Sequence, residues 1–493
     1  MGHAGAVRGV ALAAATALSL ATAVAAAQPG SYSESPAAPP VKARILSNHF
    51  PDKPSLSPVG SIPLAPLGFT APSANYLGTR NTFVSLDFLD EDRLLFTFRA
   101  PGLIHRDLKT GEESDEREIR AVVLALPEGT GEARIEAEAL WTVHDRIRYL
   151  WPLKDGHFLL RDRNNLLQGD ATLTLKPFLD FPGALLWVEL DPAQQFLVTN
   201  SREPIVAAAK SVVPADRSSS AGWKSGVSAD GSSSTGWKSE APTDGSSSTG
   251  SQSGQLSGPV SSPVTAQATV TTDQDDAAAE EGRPELVVRI LRRESGEVML
   301  VSRVRSAVHL PINAKGYLEN LRGRGTEWML NLSYFTGSAR MLGSVETACD
   351  PDDEFLTEDE ILITGCSADG ARKLVAMTTE GKTLWIAQAP ETEVWPNLTV
   401  APDGSRLAWI TLDASHPVST FAPMDSEDVK EQSVTVFDAA TGDIAFVSPL
   451  SPILDAGGNV AISPSGRRVA LLNAGAIEIF DLPPPPPLPS ARP

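Results

Sequence analysis

Short apolar stretches recur along the chain in pairs, and a polar turn carrying Asp or Gly separates the members of each pair. Apolar runs this short, bounded by turn residues, predict β-hairpins. The clearest copies are residues 398–409 and 460–471, whose turns read Ala401-Pro402-Asp403-Gly404 and Ser463-Pro464-Ser465-Gly466. Proline presets the negative φ of a turn's first corner, and glycine permits a positive φ near its end. Weaker copies occupy 85–96, 150–160, 186–198 and 354–366, and 318–332 is a degenerate one. A second hairpin often follows the first, as at 287–300, 374–385 and 434–446. Two hairpins per unit predict a four-stranded antiparallel sheet.

Seven such units predict an all-β chain folded as a single β-propeller of seven four-stranded blades, since radial repetition protects strand edges. The Phe437-Asp438…Thr441-Gly442 turn and the two Pro-containing turns resemble the WD-repeat and quinoprotein-like propeller superfamily. The resemblance spans residues 81–482 less an insert, and it points toward exported bacterial members. It implies a fold and no particular activity. The seventh unit holds one hairpin and a third strand at 476–480, then ends in prolines. Its missing outer strand is expected from residues 60–84, which would close the ring. Two long segments, 202–284 in the third unit and 413–432 in the sixth, fall between second and third strands. Strand direction sends both to one face, and loops gathered on a rigid scaffold are where binding usually resides.

Composition changes the picture at the ends and in the middle. One cation, Arg8, precedes an apolar, alanine-rich stretch. Ala23-Val24-Ala25 and Ala25-Ala26-Ala27 both fit a cleavage site, so residues 1–27 read as a signal peptide. That stretch is too short for a comfortable span. The mature chain is therefore expected to be secreted or periplasmic, with no membrane span after signal removal. Residues 28–70 form a Pro/Ser/Ala-rich lead-in before the first propeller portion at 71–201. The 202–284 insert carries 14-residue repeats that begin at Asp216, Asp230 and Asp244. Gly/Ser-rich sequence of this kind cannot bury enough apolar area to offset its ordering entropy, so disorder is expected. Trp223 and Trp237 are candidates for a ligand tether, against the simpler reading of a tandem expansion in a surface loop. The propeller resumes over 285–482, and the Pro-rich tail 483–493 should be extended. In an oxidising compartment Cys349 and Cys366 are expected to pair at the open end of the 354–366 hairpin. A loop of this size suggests a stabilisation of about 3 kcal/mol.

Charge narrows the partners. There are 41 Lys and Arg against 61 Asp and Glu, a net charge of -20, which disfavours nucleic acid. Two cysteines leave no four-cysteine zinc site and no cysteine-ligated iron–sulfur cluster. Within 283–340, however, ten basic residues face five acidic ones. Arg289, Arg292, Arg293, Arg322 and Arg324 are candidates for an anionic-partner patch, against a solvated outer strand pair.

Candidate chemistry is sparse. The seven histidines, His3, His49, His105, His144, His157, His309 and His416, show no local zinc spacing and read as surface or packed residues. The acidic run from Asp350 to Glu360 lacks the spacing of a calcium loop. Asp87 and Asp191 are candidates for paired carboxylates, although Asp in such turns ordinarily caps the turn. No nucleophile elbow and no phosphate-binding loop occurs. No catalytic, cofactor or metal residue is assigned. The chain reads as a non-enzymatic, monomeric propeller that binds a protein or glycan through its loop-bearing face. The alternative is a propeller enzyme, such as a lyase, lactonase or glycoside hydrolase, with its site in the central channel.

Overall fold

The computed structural model describes residues 41–46, 51–73, 77, 81–101, 105–106, 115–126, 133–144, 148–203, 285–418 and 424–485. The signal segment, the start of the lead-in, residues 204–284 with Trp223 and Trp237, and the end of the tail lie outside them. Among the described residues, no helix is long and apolar enough to cross a membrane.

Antiparallel sheets follow one another as blades of a propeller ring. Blade 1 comprises Val84–Phe88, Arg93–Arg99, Asp115–Ala125 and Arg134–Val143. Blade 2 comprises Leu150–Pro152, Phe158–Asp162, Asn165–Gly169 and Lys176–Asp180, and blade 3 Ala184–Leu190, Phe196–Glu203, Glu285–Arg292 and Val298–Val304. Blade 4 has Gly316–Arg322, Glu327–Tyr334 and Ala339–Glu346. Blade 5 runs through Asp352–Phe355, Glu360–Cys366, Arg372–Thr378 and Thr383–Gln388, and blade 6 through Glu393–Val400, Arg406–Ala414, Val429–Asp438 and Ile444–Pro449. Blade 7 has Val460–Ile462, Arg468–Asn473 and Ala476–Asp481. Its fourth strand is Gly60–Pro63, with Ile62 opposite Ile477. The ring therefore closes with the N-terminal strand expected from the sequence.

Each blade has two faces, and each must be covered. Seven apolar clusters meet this need, one between every pair of neighbouring blades. Leu86 and Phe96 meet Ile479 between blades 1 and 7. Leu95 meets Phe158 between blades 1 and 2, and Leu159 meets Leu197 between 2 and 3. Val198 meets Ile312 before blade 4, and Leu330 meets Ile363 between 4 and 5. Leu374 packs with Trp409 between 5 and 6, and Phe446 with Phe480 between 6 and 7. Second strands contribute to two layers at once. That is why Leu94 to Phe98 and Leu407 to Leu412 are apolar and buried almost without alternation.

The recurrent turns fold as their residues require. Asp403 accepts the Ser405 N–H at 2.9 Å, while Gly404 adopts φ 76°. A Cβ on Gly404 would sit 2.5 Å from the Leu356 carbonyl oxygen, so the turns of blades 5 and 6 pack directly. Gly442 adopts φ 68° for a similar reason, with its Cα against the Trp385 ring.

Blade 4, degenerate in the sequence, is also reduced in the structure. Its innermost strand shrinks to one bridge, Ile312 with Tyr317. Pro311 has no N–H to extend a ladder, and Asn313 turns the chain at once by accepting the N–H groups of Lys315 and Gly316, both at 2.9 Å. The lead-in is more structural than its composition suggests. Besides the closing strand, Ala43–Ile45 adds in parallel to the outer edge of blade 5, and Arg44 reaches Asp443 of blade 6 at 2.6 Å. Cys349 and Cys366 are bonded, with Cα atoms 5.5 Å apart.

Candidate functional site at the channel mouth

The first strand of every blade borders the central channel, and its period of two decides what lines it. In blade 1, Leu86 and Phe88 enter the apolar layer, so Ser85 and Asp87 take the other side. In blade 3, Val188 is buried while Trp187 and Glu189 alternate with it. In blade 5, Asp353 and Phe355 are buried while Asp352 and Glu354 alternate with them. Asp87, Glu189 and Glu354 each stand next to last in their first strand. Three alternate blades thus place a carboxylate at the same position.

His309 joins two of these blades. It lies on the connection from blade 3 to blade 4, which the fully buried Asn200 holds by two hydrogen bonds with the Val308 backbone, at 2.9 and 3.1 Å. The His309 Nε2 lies 3.1 Å from Glu189, and its Nδ1 lies 2.8 Å from Asp352. Trp187 meets the imidazole edge-on, ring centres 5.8 Å apart, and remains 41% exposed. Its indole N–H points toward Glu189 at 3.5 Å. Arg148, on the connection from blade 1 to blade 2, stacks over Trp151 at 5.6 Å.

The electrostatics follow from enclosure. Burial opposes charge on His309, yet Glu189 and Asp352 outweigh it and hold the imidazolium well above the usual range. Burial pushes the Glu354 carboxyl up to about 7, and Glu189 adds to the push, while His309 and Arg148 oppose it. Burial likewise raises Asp353 to about 7, against the hydrogen bond from Asn320 at 2.7 Å. Asp87 is raised by burial, against Arg148 and the Ser85 hydroxyl. An imidazolium donating through both nitrogens has no lone pair for a proton or a metal. Among the described residues, no group of three or more His, Cys, Asp or Glu is disposed to hold a metal ion. What the mouth offers is a set of carboxylates, one cationic imidazole and an exposed indole.

The residues singled out in the sequence have other places. Asp191 caps its turn, accepting the Phe196 N–H at 2.6 Å, and burial raises its carboxyl to about 6. Glu358 and Asp359, from the acidic run, clamp blade 5 to blade 4 by accepting the Ala314 N–H at 2.8 Å and pairing with Lys315 at 2.7 Å. Arg289 lies against Glu203 at 2.9 Å. Arg292 is near Glu297 at 3.4 Å and over Phe196, and Arg293 reaches Asp155 at 3.5 Å. Arg322 stacks over Trp328, and Arg324 is exposed. His144, His157 and His416 each neighbour an Asp.

His309 was not distinguishable from the other histidines by spacing, because its partners come from blades 3 and 5. The carboxylate shared by three first strands was a usable signal. It becomes visible only when the units are aligned on strand ends.

These features define a seven-bladed β-propeller with a charged channel mouth. Among solved structures, the chain is similar to the acylaminoacyl peptidase of Pyrococcus horikoshii at 9% identity and a TM-score of 0.40, covering 82% of this chain and 50% of that one. The chain thus spans about half the length of that peptidase. It is also similar to the β-propeller domain of the Trilobed protease from Pyrococcus furiosus, at 10% identity and a TM-score of 0.38, covering 81% and 96%. Chaetomium thermophilum Sqt1, solved bound to the N-terminus of ribosomal protein L10, gives 8% identity and a TM-score of 0.38, covering 82% and 98%. Identities this low say nothing of this chain's activity. No family model matches the chain, and no curated protein matches its sequence.

Proposed function

We propose that the protein is an exported, monomeric propeller that binds a protein or glycan without catalysis, through the face bearing its long loops. One observation carries this reading: strand direction brings the longest connections to the same face. The 204–284 segment leaves from the second strand of blade 3, and residues 415–428 leave from the second strand of blade 6. The cystine stands at that face too, where Cys366 ends the second strand of blade 5. The opposite face is made of tight turns such as those at Gly404 and Gly466. The A-x-A signal and the paired cysteines support export, and a mature N-terminus after Ala25 or Ala27 in the secreted or periplasmic fraction tests it.

Binding is tested by screening immobilised peptides and glycans with the full chain. Hits should be lost on shortening 415–428 and should survive Asp481→Asn on the opposite face. Deleting 204–284 asks separately whether Trp223 and Trp237 act as a tether. Binding that persists without either loop, and is lost through the opposite face, overturns the proposal. A channel enzyme is the second reading, favoured by a Glu354 carboxyl held near neutrality beside Glu189. Turnover of a screened glycan or lactone that Glu354→Gln abolishes would establish it instead.

A further inference from the structure

We propose that the outer edge of blade 3 takes an extended segment of a partner protein by strand addition, with apolar side chains of the guest beside Met299 and Val301 and carboxylates beside Arg303 and Arg305. This surface lies on the rim of the ring and goes beyond the binding face proposed above.

Val298–Val304 is the outermost strand of blade 3 and pairs on its inner side with Glu285–Arg292. An edge strand presents backbone N–H and C=O groups on its open side, a template for one more strand. Val298, Met299 and Val301 are 46%, 37% and 58% exposed, and no charge, proline or glycine interrupts residues 298–302. The other rims are covered or blunted. Ala43–Ile45 covers blade 5. On blade 6, Ser55 donates its N–H to the Val447 carbonyl at 2.9 Å, and its hydroxyl oxygen accepts the Val447 N–H at 3.0 Å. Arg134, Glu136 and Glu138 stud the outer strand of blade 1, and Pro177 interrupts that of blade 2. Blade 4 carries Arg340, Gly343 and Glu346 along its outer strand, and Pro63 ends that of blade 7. Residues 298–302 have none of these devices.

The chemistry of the guest follows from the period of two. Leu300 and Val304 pack into the layer toward blade 4, so Met299, Val301 and Arg303 share the opposite face. Arg305, exposed just past the strand, continues that row. A matching strand has apolar residues at alternate positions followed by carboxylates. The wider sector agrees in sign, since residues 283–340 hold ten cations against five anions in an acidic chain. Blade 5 displays the mode within this fold. There the guest Ala43–Ile45 runs parallel to the outer strand, and its Arg44 pairs with Asp443 at 2.6 Å. On blade 3 the signs are exchanged, with arginine on the ring and the carboxylates left to the guest. A parallel guest brings its C-terminal residues to Arg303 and Arg305, where the blade 3 strand ends.

The test titrates the full chain calorimetrically with the capped octapeptide Thr-Val-Thr-Val-Thr-Glu-Thr-Glu and with a twin carrying Lys in place of Glu. The glutamate peptide is expected to bind, and the lysine peptide is not. Val301→Lys, at an exposed position, should weaken the glutamate peptide by about tenfold or more. Arg305→Gln should weaken it about fivefold and keeps the result readable if Val301→Lys does not fold. Leu140→Lys, a matched exposed position on the outer strand of blade 1, should leave it unchanged. Equal affinity in Val301→Lys and the native chain overturns the inference, as does equal uptake of the lysine peptide. Binding that appears only after deletion of 204–284 would mean that the chain covers its own edge. A dimer in sedimentation that Val301→Lys separates would mean that a second copy does, and either result also overturns it. If the glutamate peptide fails while another partner binds through 415–428, this inference falls and the loop-face reading stands.

Discussion

The layers between blades and the mouth of the channel are built from the same first strands, yet they obey opposite rules. Leu86 and Phe88 sit in an apolar layer, and Asp87 between them faces water and charge. In the layers, apolar side chains of neighbouring blades cover one another. At the mouth, carboxylates are crowded, partly dehydrated and shared by one imidazole. The contrast teaches where stability and function separate: what closes the ring is replaceable only by its own kind, whereas the mouth carries groups that the ring does not need.

That difference can be broken or sharpened by substitution. Phe446 lies 4.8 Å from Phe480 in the layer between blades 6 and 7. Phe446→Ala should cost about 3–5 kcal/mol in a urea titration, the usual range for a large core cavity. Removing the cystine by Cys349→Ser with Cys366→Ser should cost about 3 kcal/mol, read the same way. The mouth should behave in the other direction. Burial raises the folded pKa of Glu354 above its unfolded value, so its contribution declines as pH rises from about 4.5 to about 7 and stays low above that. Glu354→Gln should therefore stabilise the chain by about 1–2 kcal/mol at pH 8, with no gain at pH 4. A loss of stability at pH 8 would place Glu354 among the structural groups and erase the contrast. His309 acts in the same pH direction. Its stabilisation is full below the unfolded value near 6.5 and is lost as pH rises through its raised folded value. His309→Gln should flatten the decline in stability that sets in above about pH 6.5, measured against the native chain. The smallest effect is expected at Asp481, exposed on blade 7, where Asp481→Asn should change stability by less than about 0.5 kcal/mol.

One buried pair shows that the layers also contain charge. Arg406, 1% exposed, meets Asp438 at 2.7 Å and joins the second and third strands of blade 6. Unlike the mouth, it is closed: each charge has its counter-ion in contact. Glu354 lacks such a contact among the described residues, and burial with Glu189 nearby raises its carboxyl instead.

The hairpins at 398–409 and 460–471 were legible because a Pro-x-Gly turn is a local instruction, satisfied by residues a few positions apart. The closing strand at Gly60–Pro63 and the reduced blade 4 were legible for a related reason, since a repeat reveals what one copy lacks. Asp191 followed the turn rule. Asp87 did not, because it lies within the strand and its environment comes from Arg148 on the next connection.

Sequence by itself determined the units, their number and the direction in which each strand runs, because alternation and turn chemistry act over a dozen residues. Only the tertiary structure decided that Glu189, His309 and Asp352 meet, and that Glu354 is half-buried near them. Those facts depend on blades 3, 4 and 5 closing around one axis, and distances across a channel are written in no local pattern.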